Sequence, residues 1–86
     1  MGGETFGWAI KQMHNLYRVR RTGWNGKGMF CFIIKEWTYT DGKQDNFTNS
    51  SFIAMKTADD KVVPWLASQT DMLATDWEIA GEPDSI

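Results

Sequence analysis

The stretch from Phe6 to Tyr17 repeats its apolar residues at helical spacing, and that pattern constrains the fold more than any other. Phe6, Ala9, Ile10, Met13, Leu16 and Tyr17 fall at i, i+3, i+4 and i+7, and Thr5 stands where an N-cap belongs. Trp8 breaks the stripe: at 100° per residue it lies with Lys11, Gln12 and Asn15 on the polar side. Two explanations are equally open. Either another part of the chain half-buries it, or it docks on another subunit.

The remainder reads as antiparallel β structure with one helical turn. Arg18 to Arg21 suits a short strand with Val19 inward. Asn25-Gly26 is the strongest turn signal, because both residues tolerate positive φ. Met29 to Tyr39 suits one long strand, and its continuous apolar start suggests burial on both faces. Asp41 to Ser51 is rich in turn residues and lacks periodicity, as in a loop. Phe52 to Thr57 and Val62 to Trp65 suit strands joined by a hairpin in which Asp60 takes the left-handed conformation. Ser68 can cap a turn from Gln69 to Ala74, with Asp71 completing a capping box. Trp77 to Ala80 suits a last strand. The expectation is an α+β fold, an N-terminal amphipathic helix packed on a small antiparallel sheet, with a short helical turn near the C-terminus. Residues 1–80 form one domain in this reading, and 81–86 a flexible tail.

A chain of 86 residues buries only roughly 60–65% of its unfolded surface, so its stability is marginal without help. One cysteine, Cys31, allows no disulfide within the chain, and one histidine, His14, leaves no His-rich metal site. Cys31 lies in an apolar run and reads as a reduced core thiol, and His14 as a packing residue at the stripe's edge. Association between copies is the remaining route, and aromatic residues at 14% of the chain supply material for interfaces. Eleven carboxylates outweigh nine Lys and Arg, which argues against nucleic acid as a partner. Arg18, Arg20 and Arg21 then read as a solvated strand face that could still attract a small anion. The longest apolar run, Met29 to Ile34, is far short of the roughly 20 residues that span a bilayer. With no basic-then-apolar leader, the expected setting is cytosolic.

Two segments place a tryptophan beside small, hydrogen-bonding residues. In the first, Trp24, Asn25, Gly26, Lys27, Gly28 and Met29 follow one another; glycine lets backbone N–H groups approach a phosphate, Lys27 adds charge and Trp24 a stacking face. The same residues equally suit a plain hairpin whose Trp packs on the core, and they match neither the P-loop nor the dinucleotide spacing. In the second, Pro64 and Trp65 precede Ala67, Ser68, Gln69, Asp71 and Met72. Polar groups at a helix start favour an anion, although Ser68 and Asp71 can simply cap. Catalytic material is thin. Asp71 and Asp76, across a helix end, are expected to face different ways, and no nucleophile stands with its base.

The strings Gly23-Trp24-Asn25-Gly26-Lys27-Gly28-Met29, Met55-Lys56-Thr57-Ala58-Asp59 and Val63-Pro64-Trp65-Leu66-Ala67-Ser68-Gln69-Thr70-Asp71-Met72-Leu73-Ala74, closing on Asp76-Trp77, follow an amphipathic helix. In this order they resemble the phage Thoeris anti-defence proteins of the second type, over about residues 5–80. The chain departs from the family pattern at Trp8, often Glu in relatives, and at Asp60, often Gly.

The resemblance implies a sponge: a homotetramer in the infected cell's cytosol that binds cyclic ADP-ribose isomers, glycocyclic ADP-ribose among them, without cleaving them. Its pockets form where subunits meet, some members also hold cyclic dinucleotides at separate sites, and no cofactor or metal is implied. On that basis Trp24 and Trp65 are expected to sandwich or edge the adenine. Asn25, Gly26, Lys27 and Gly28 take the diphosphate, and Ser68, Gln69 and Asp71 the ribose hydroxyls. A cyclic-nucleotide hydrolase and a protein-interaction module without a small ligand are the alternatives.

Overall fold

The computed structural model describes residues 3–24, 27–40, 42 and 46–81. Helix α1 (Phe6–His14) begins on Thr5, which is extended and whose Oγ1 accepts the Trp8 N–H at 3.2 Å. It ends three residues before the apolar stripe, which runs to Tyr17. Leu16 adopts φ 71°, the Leu16 N–H reaches the Met13 carbonyl at 2.9 Å, and the Tyr17 N–H reaches the Gln12 carbonyl at 3.0 Å. That paired closure is a Schellman turn with leucine where glycine is usual. It redirects the chain into β1 (Arg18–Arg21).

The strands β2 (Phe30–Ile34), β5 (Phe52–Lys56), β6 (Val62–Pro64) and β7 (Trp77–Gly81) complete a five-stranded antiparallel sheet of order β6-β5-β2-β1-β7. Val19 stands opposite Cys31, and Cys31 opposite Met55. Helix α1 lies on that face, so Ala9, Met13, Val19, Cys31 and Trp77 form a fully buried core ringed by Ile33, Ile53 and Met55. Trp8 is half-buried against this core, so its own chain covers it. Strand side chains alternate faces, so Phe30, Phe32 and Ile34 point the other way. They are half-buried, and no described helix or strand packs across them.

The expected long strand from Met29 to Tyr39 is in fact two. It breaks at Lys35-Glu36, and β3 (Trp37–Thr40) pairs with β4 (Asn46–Asn49) in a separate two-stranded ribbon. A strand therefore lies inside the segment expected to be loop. Asn49 explains the break: its side chain accepts the Trp37 N–H at 3.2 Å and donates to the Lys35 carbonyl at 3.1 Å. Those bonds turn the ribbon out of the main sheet.

Other details follow the sequence more closely. Asp60 does take the left-handed conformation, φ 64°, in the hairpin between β5 and β6, and its carboxylate meets the Lys56 ammonium at 2.7 Å. Helix α2 (Gln69–Leu73) carries the full capping box between Ser68 and Asp71. Strand β7 extends to Gly81, opposite Arg18; residues 82–86 of the expected tail lie outside the described residues. His14 is exposed rather than packed.

Candidate functional site

The turn that follows β1 is held from below by one carboxylate. Asp76 Oδ2 accepts the Gly23 N–H at 3.0 Å and the Thr22 hydroxyl at 3.3 Å, and the Asp76 carbonyl accepts the Thr22 N–H at 3.0 Å. A Cβ on Gly23 would stand 3.2 Å from that oxygen, so the bare backbone is what lets Asp76 close in. Trp24 donates its N–H to the Arg21 carbonyl at 3.2 Å, which tightens the turn. Further along, Gly28 sits at φ 73° and its carbonyl accepts the Lys56 ammonium at 3.1 Å. Asn25 and Gly26 lie outside the described residues.

Asp71 and Asp76 do not face different ways. Both converge on Arg21, whose Nε donates to Asp76 Oδ1 at 2.8 Å and whose Nη1 donates to Asp71 Oδ1 at 3.0 Å. Sequence separation hid this. The two carboxylates flank the α2-to-β7 turn, and pairing of β7 with β1 sets Trp77 opposite Arg21. The Arg21 hydrogen bond holds the Asp76 carboxyl below its ordinary range, against the opposing effect of burial. Burial pushes Asp71 up, but hydrogen bonds from Arg21 and Ser68 outweigh it and leave that carboxyl low as well. Arg21 in turn is raised by Asp76 and then Asp71. All three groups stay charged at neutral pH.

The tryptophans are joined the same way. Trp77, fully buried, lies 5.5 Å from Trp24 and 6.0 Å from Trp65, ring centre to ring centre and edge-on to both. Phe6 of α1 touches Trp77 at 5.4 Å and Trp65 at 6.1 Å. The Trp77 indole N–H donates to the Asp71 carbonyl at 3.0 Å. Trp24 and Trp65 touch edge-on, 6.2 Å apart at 67°. Two rings in mutual contact at that angle leave no slot for a base between them, whereas stacking on one exposed face remains geometrically available.

Trp24, Lys27, Gly28 and Met29 come together in an open cleft of about 270 Å³, with Arg20, Arg21, Thr22 and Glu78 completing its walls. Arg20 is braced by Glu78 at 2.7 Å. The second segment stands apart from these walls. Trp65 backs Trp24, and Asp71 backs Arg21 while closing the capping box with Ser68. Pro64, Gln69 and Met72 are exposed and Ala67 is half-buried. The α2 cap therefore has its own partners, and the free hydrogen-bonding capacity expected of Ser68 and Asp71 is largely spent. Thr22 and Glu78 escape the sequence reading, and Arg20 and Arg21 enter it only as part of a strand face able to attract a small anion. Their signal was present as charge complementarity, Arg20-Arg21 against Asp76 and Glu78, which antiparallel pairing of two short strands turns into contacts.

Cys31 takes no part in the cleft. It is fully buried, and burial pushes its thiol up to about 12.

The comparisons with known proteins bear on the segments just described. The Thoeris anti-defense 2-like domain matches residues 4–80, from the β-bridge at Glu4 through β7. This chain belongs to the Thoeris anti-defense 2-like family. A protein of Bacillus phage SP01 named Thoeris anti-defense 2 is 40% identical over 84 residues, covering 87% of this chain and 92% of that protein. Both tryptophan segments, the Arg21 pairings and the cleft lie inside the region matched to the Thoeris anti-defense 2-like domain.

Proposed function

We propose that this protein is an anti-defence sponge: it binds cyclic ADP-ribose-type signals, glycocyclic ADP-ribose among them, in the cytosol of an infected cell and holds them uncleaved, so that the Thoeris effector is not switched on. Besides family membership, the observation that carries this reading is the cleft itself. An indole, a left-handed glycine and the cations Arg20, Arg21 and Lys27 border one open space, the combination a base joined to a diphosphate needs. Asn25 and Gly26 complete the diphosphate contacts in this proposal. Gln69 serves ribose hydroxyls in this proposal, with Ser68 and Asp71 holding the α2 cap beneath it, and Pro64, Trp65, Ala67 and Met72 shape a wall that a neighbouring copy brings to the cleft. A binder also suits the carboxylates in and behind the cleft wall, since Glu78 is paired with Arg20 and Asp71 and Asp76 are both bound to Arg21, and none is poised as a base.

The proposed assembly is a homotetramer that shares its sites between copies. A ligand site normally encloses about 300–1,000 Å³, more than the roughly 270 Å³ one chain provides. A sponge that competes with an effector needs nanomolar affinity, about −12 kcal/mol. One stacked base supplies about 1–3 kcal/mol, so near-complete enclosure has to supply the rest, and a second chain provides the missing wall. The half-buried Phe30, Phe32 and Ile34 face, across which no described helix or strand packs, is consistent with such contacts. A single domain over residues 1–80 belongs to the same proposal.

The test is a thermal-shift series with cyclic ADP-ribose isomers and cyclic dinucleotides on the wild type, Trp24→Ala and Trp24→Phe. The wild type is expected to gain melting temperature with a cyclic ADP-ribose isomer. Trp24→Ala should bind about 5–150-fold more weakly, the stacking energy converted to affinity, and Trp24→Phe should retain most of it. No shift with any isomer, or full affinity in a folded Trp24→Ala, rejects the assignment.

A further inference from the structure

Among the described residues that wall the cleft, Glu78 is the only carboxylate. Strand pairing puts it there. Glu78 stands opposite Arg20 in the ladder of β1 and β7, and cross-strand partners share a face, so the two long side chains run out together. Arg20 Nε donates to Glu78 Oε2 at 2.7 Å, and the two side chains are 45% and 14% exposed. That contact uses one oxygen of the carboxylate. Among the described residues no donor meets Glu78 Oε1, and no buried side-chain oxygen lacks a partner, so Oε1 opens to solvent. The cleft is the opening that Glu78 lines.

A carboxylate oxygen without a partner limits what can sit beside it. It repels a phosphate and welcomes a hydroxyl, because an ionised carboxylate only accepts and its hydrogen bonds are roughly twice as strong as neutral ones. The cations of the cleft are unequally committed. Arg21 is shared between Asp71 and Asp76, and Arg20 is paired with Glu78. That leaves Lys27 as the cleft cation with no carboxylate partner among the described residues. A ligand that suits these walls turns its anion toward Lys27 and the backbone of Gly28, and a hydroxyl toward Glu78. Ribose joined to a diphosphate has that pattern, and carboxylates meet ribose hydroxyls in this way in dinucleotide sites. The other hydroxyl of the walls, on Thr22, is turned onto Asp76, and Gln69 of α2 stands outside them.

We infer that Glu78 is the specificity-determining residue of the cleft: its Oε1 accepts a ribose hydroxyl of the ligand, while Oε2 holds Arg20 beside the diphosphate. This role rests on the cyclic ADP-ribose proposal made above. It gives the site a preference that the indole and the cations cannot supply, since stacking and charge tolerate almost any nucleotide. A ligand lacking that hydroxyl leaves the carboxylate oxygen without a partner in the enclosed site. A ligand phosphorylated there sets two anions face to face. One atom rejects both.

Calorimetric titration tests it on the wild type and Glu78→Gln. The probes are the cyclic ADP-ribose isomer that raises the wild-type melting temperature most, and analogues of it that each lack one free ribose hydroxyl. Glutamine keeps the side chain's length and an acceptor for Arg20 Nε, so the brace survives and the charge is lost; circular dichroism confirms the fold. The wild type should bind one of the deoxy analogues about tenfold more weakly than the parent, the worth of a hydrogen bond to a charged group. Glu78→Gln should bind the same two within about threefold of each other, the non-additivity of groups in direct contact. A wild type that binds the parent and every deoxy analogue equally overturns the role of Glu78 without any variant, and leaves the sponge proposal in place. A Glu78→Gln that weakens parent and analogues by one common factor overturns it too, since a residue acting only through Arg20 or the fold would do that. If no isomer binds the wild type, the sponge proposal falls, and the role of Glu78 falls with it.

Discussion

Replacing Asp76 by asparagine keeps the side chain's shape and removes the charge that ties β1, the Gly23 turn and β7 together. In the native protein one oxygen accepts Arg21 at 2.8 Å, and the other accepts Gly23 at 3.0 Å and Thr22 at 3.3 Å. An asparagine can present only one acceptor, so its amide must face either the Arg21 or the Gly23 donor. Hydrogen bonds to charged groups are worth about 1.5–3 kcal/mol each. The Asp76 side chain is 31% exposed, so water compensates part of the loss, and a net cost of about 1–2 kcal/mol is expected. For a domain of this size that lowers the melting temperature by roughly 4–16 °C.

The effect also carries a pH signature. Arg21 depresses the folded-state carboxyl of Asp76, and net hydrogen bonding depresses that of Asp71. Their stabilisation is therefore complete above the unfolded value, near about 4, and is lost as pH falls through the folded values. Wild type and Asp76→Asn should differ most at neutral pH and converge in acid. Melting curves followed by circular dichroism at neutral and acidic pH decide it. Equal melting temperatures at neutral pH, or a gap that persists unchanged in acid, would refute the reasoning.

Three further outcomes are expected. Thr5→Ala removes the acceptor of the Trp8 N–H and should cost about 1 kcal/mol of stability, seen as a lower melting temperature. Asp60→Ala and Asp60→Gly both lose the Lys56 ion pair, so the glycine variant should be more stable by about 1 kcal/mol, the cost of the left-handed conformation to a side chain. Cys31, buried and raised to about 12, should resist alkylation in the folded protein and react only on denaturation, as mass spectrometry would show.

Local chemistry made much of the fold legible. Thr5 and the stripe after it announce α1, Ser68 with Asp71 announces α2, and Asp60 its hairpin, because each depends on neighbours within a few residues. The ribbon escaped because its second strand, Asn46–Asn49, has little strand propensity, and its first continues a β-rich run without a visible stop. What breaks that run is Asn49, a side chain from across the ribbon. The site divides the same way. Trp24, Lys27, Gly28 and Met29 were legible as a cluster because they adjoin in sequence. The Arg21 pairings and the Trp24–Trp77 contact were not, since each joins residues about fifty apart whose meeting depends on the pairing of β1 with β7.

The central proposal is capture without chemistry, and recovery of the ligand tests it most directly. Protein incubated with excess glycocyclic ADP-ribose, freed of unbound ligand, heat-denatured and run on a chromatography column should release the cyclic molecule intact, in fixed proportion to protein. Linear product accumulating beyond one equivalent per site would contradict the account and make the protein a hydrolase; no retained ligand at all would contradict it equally.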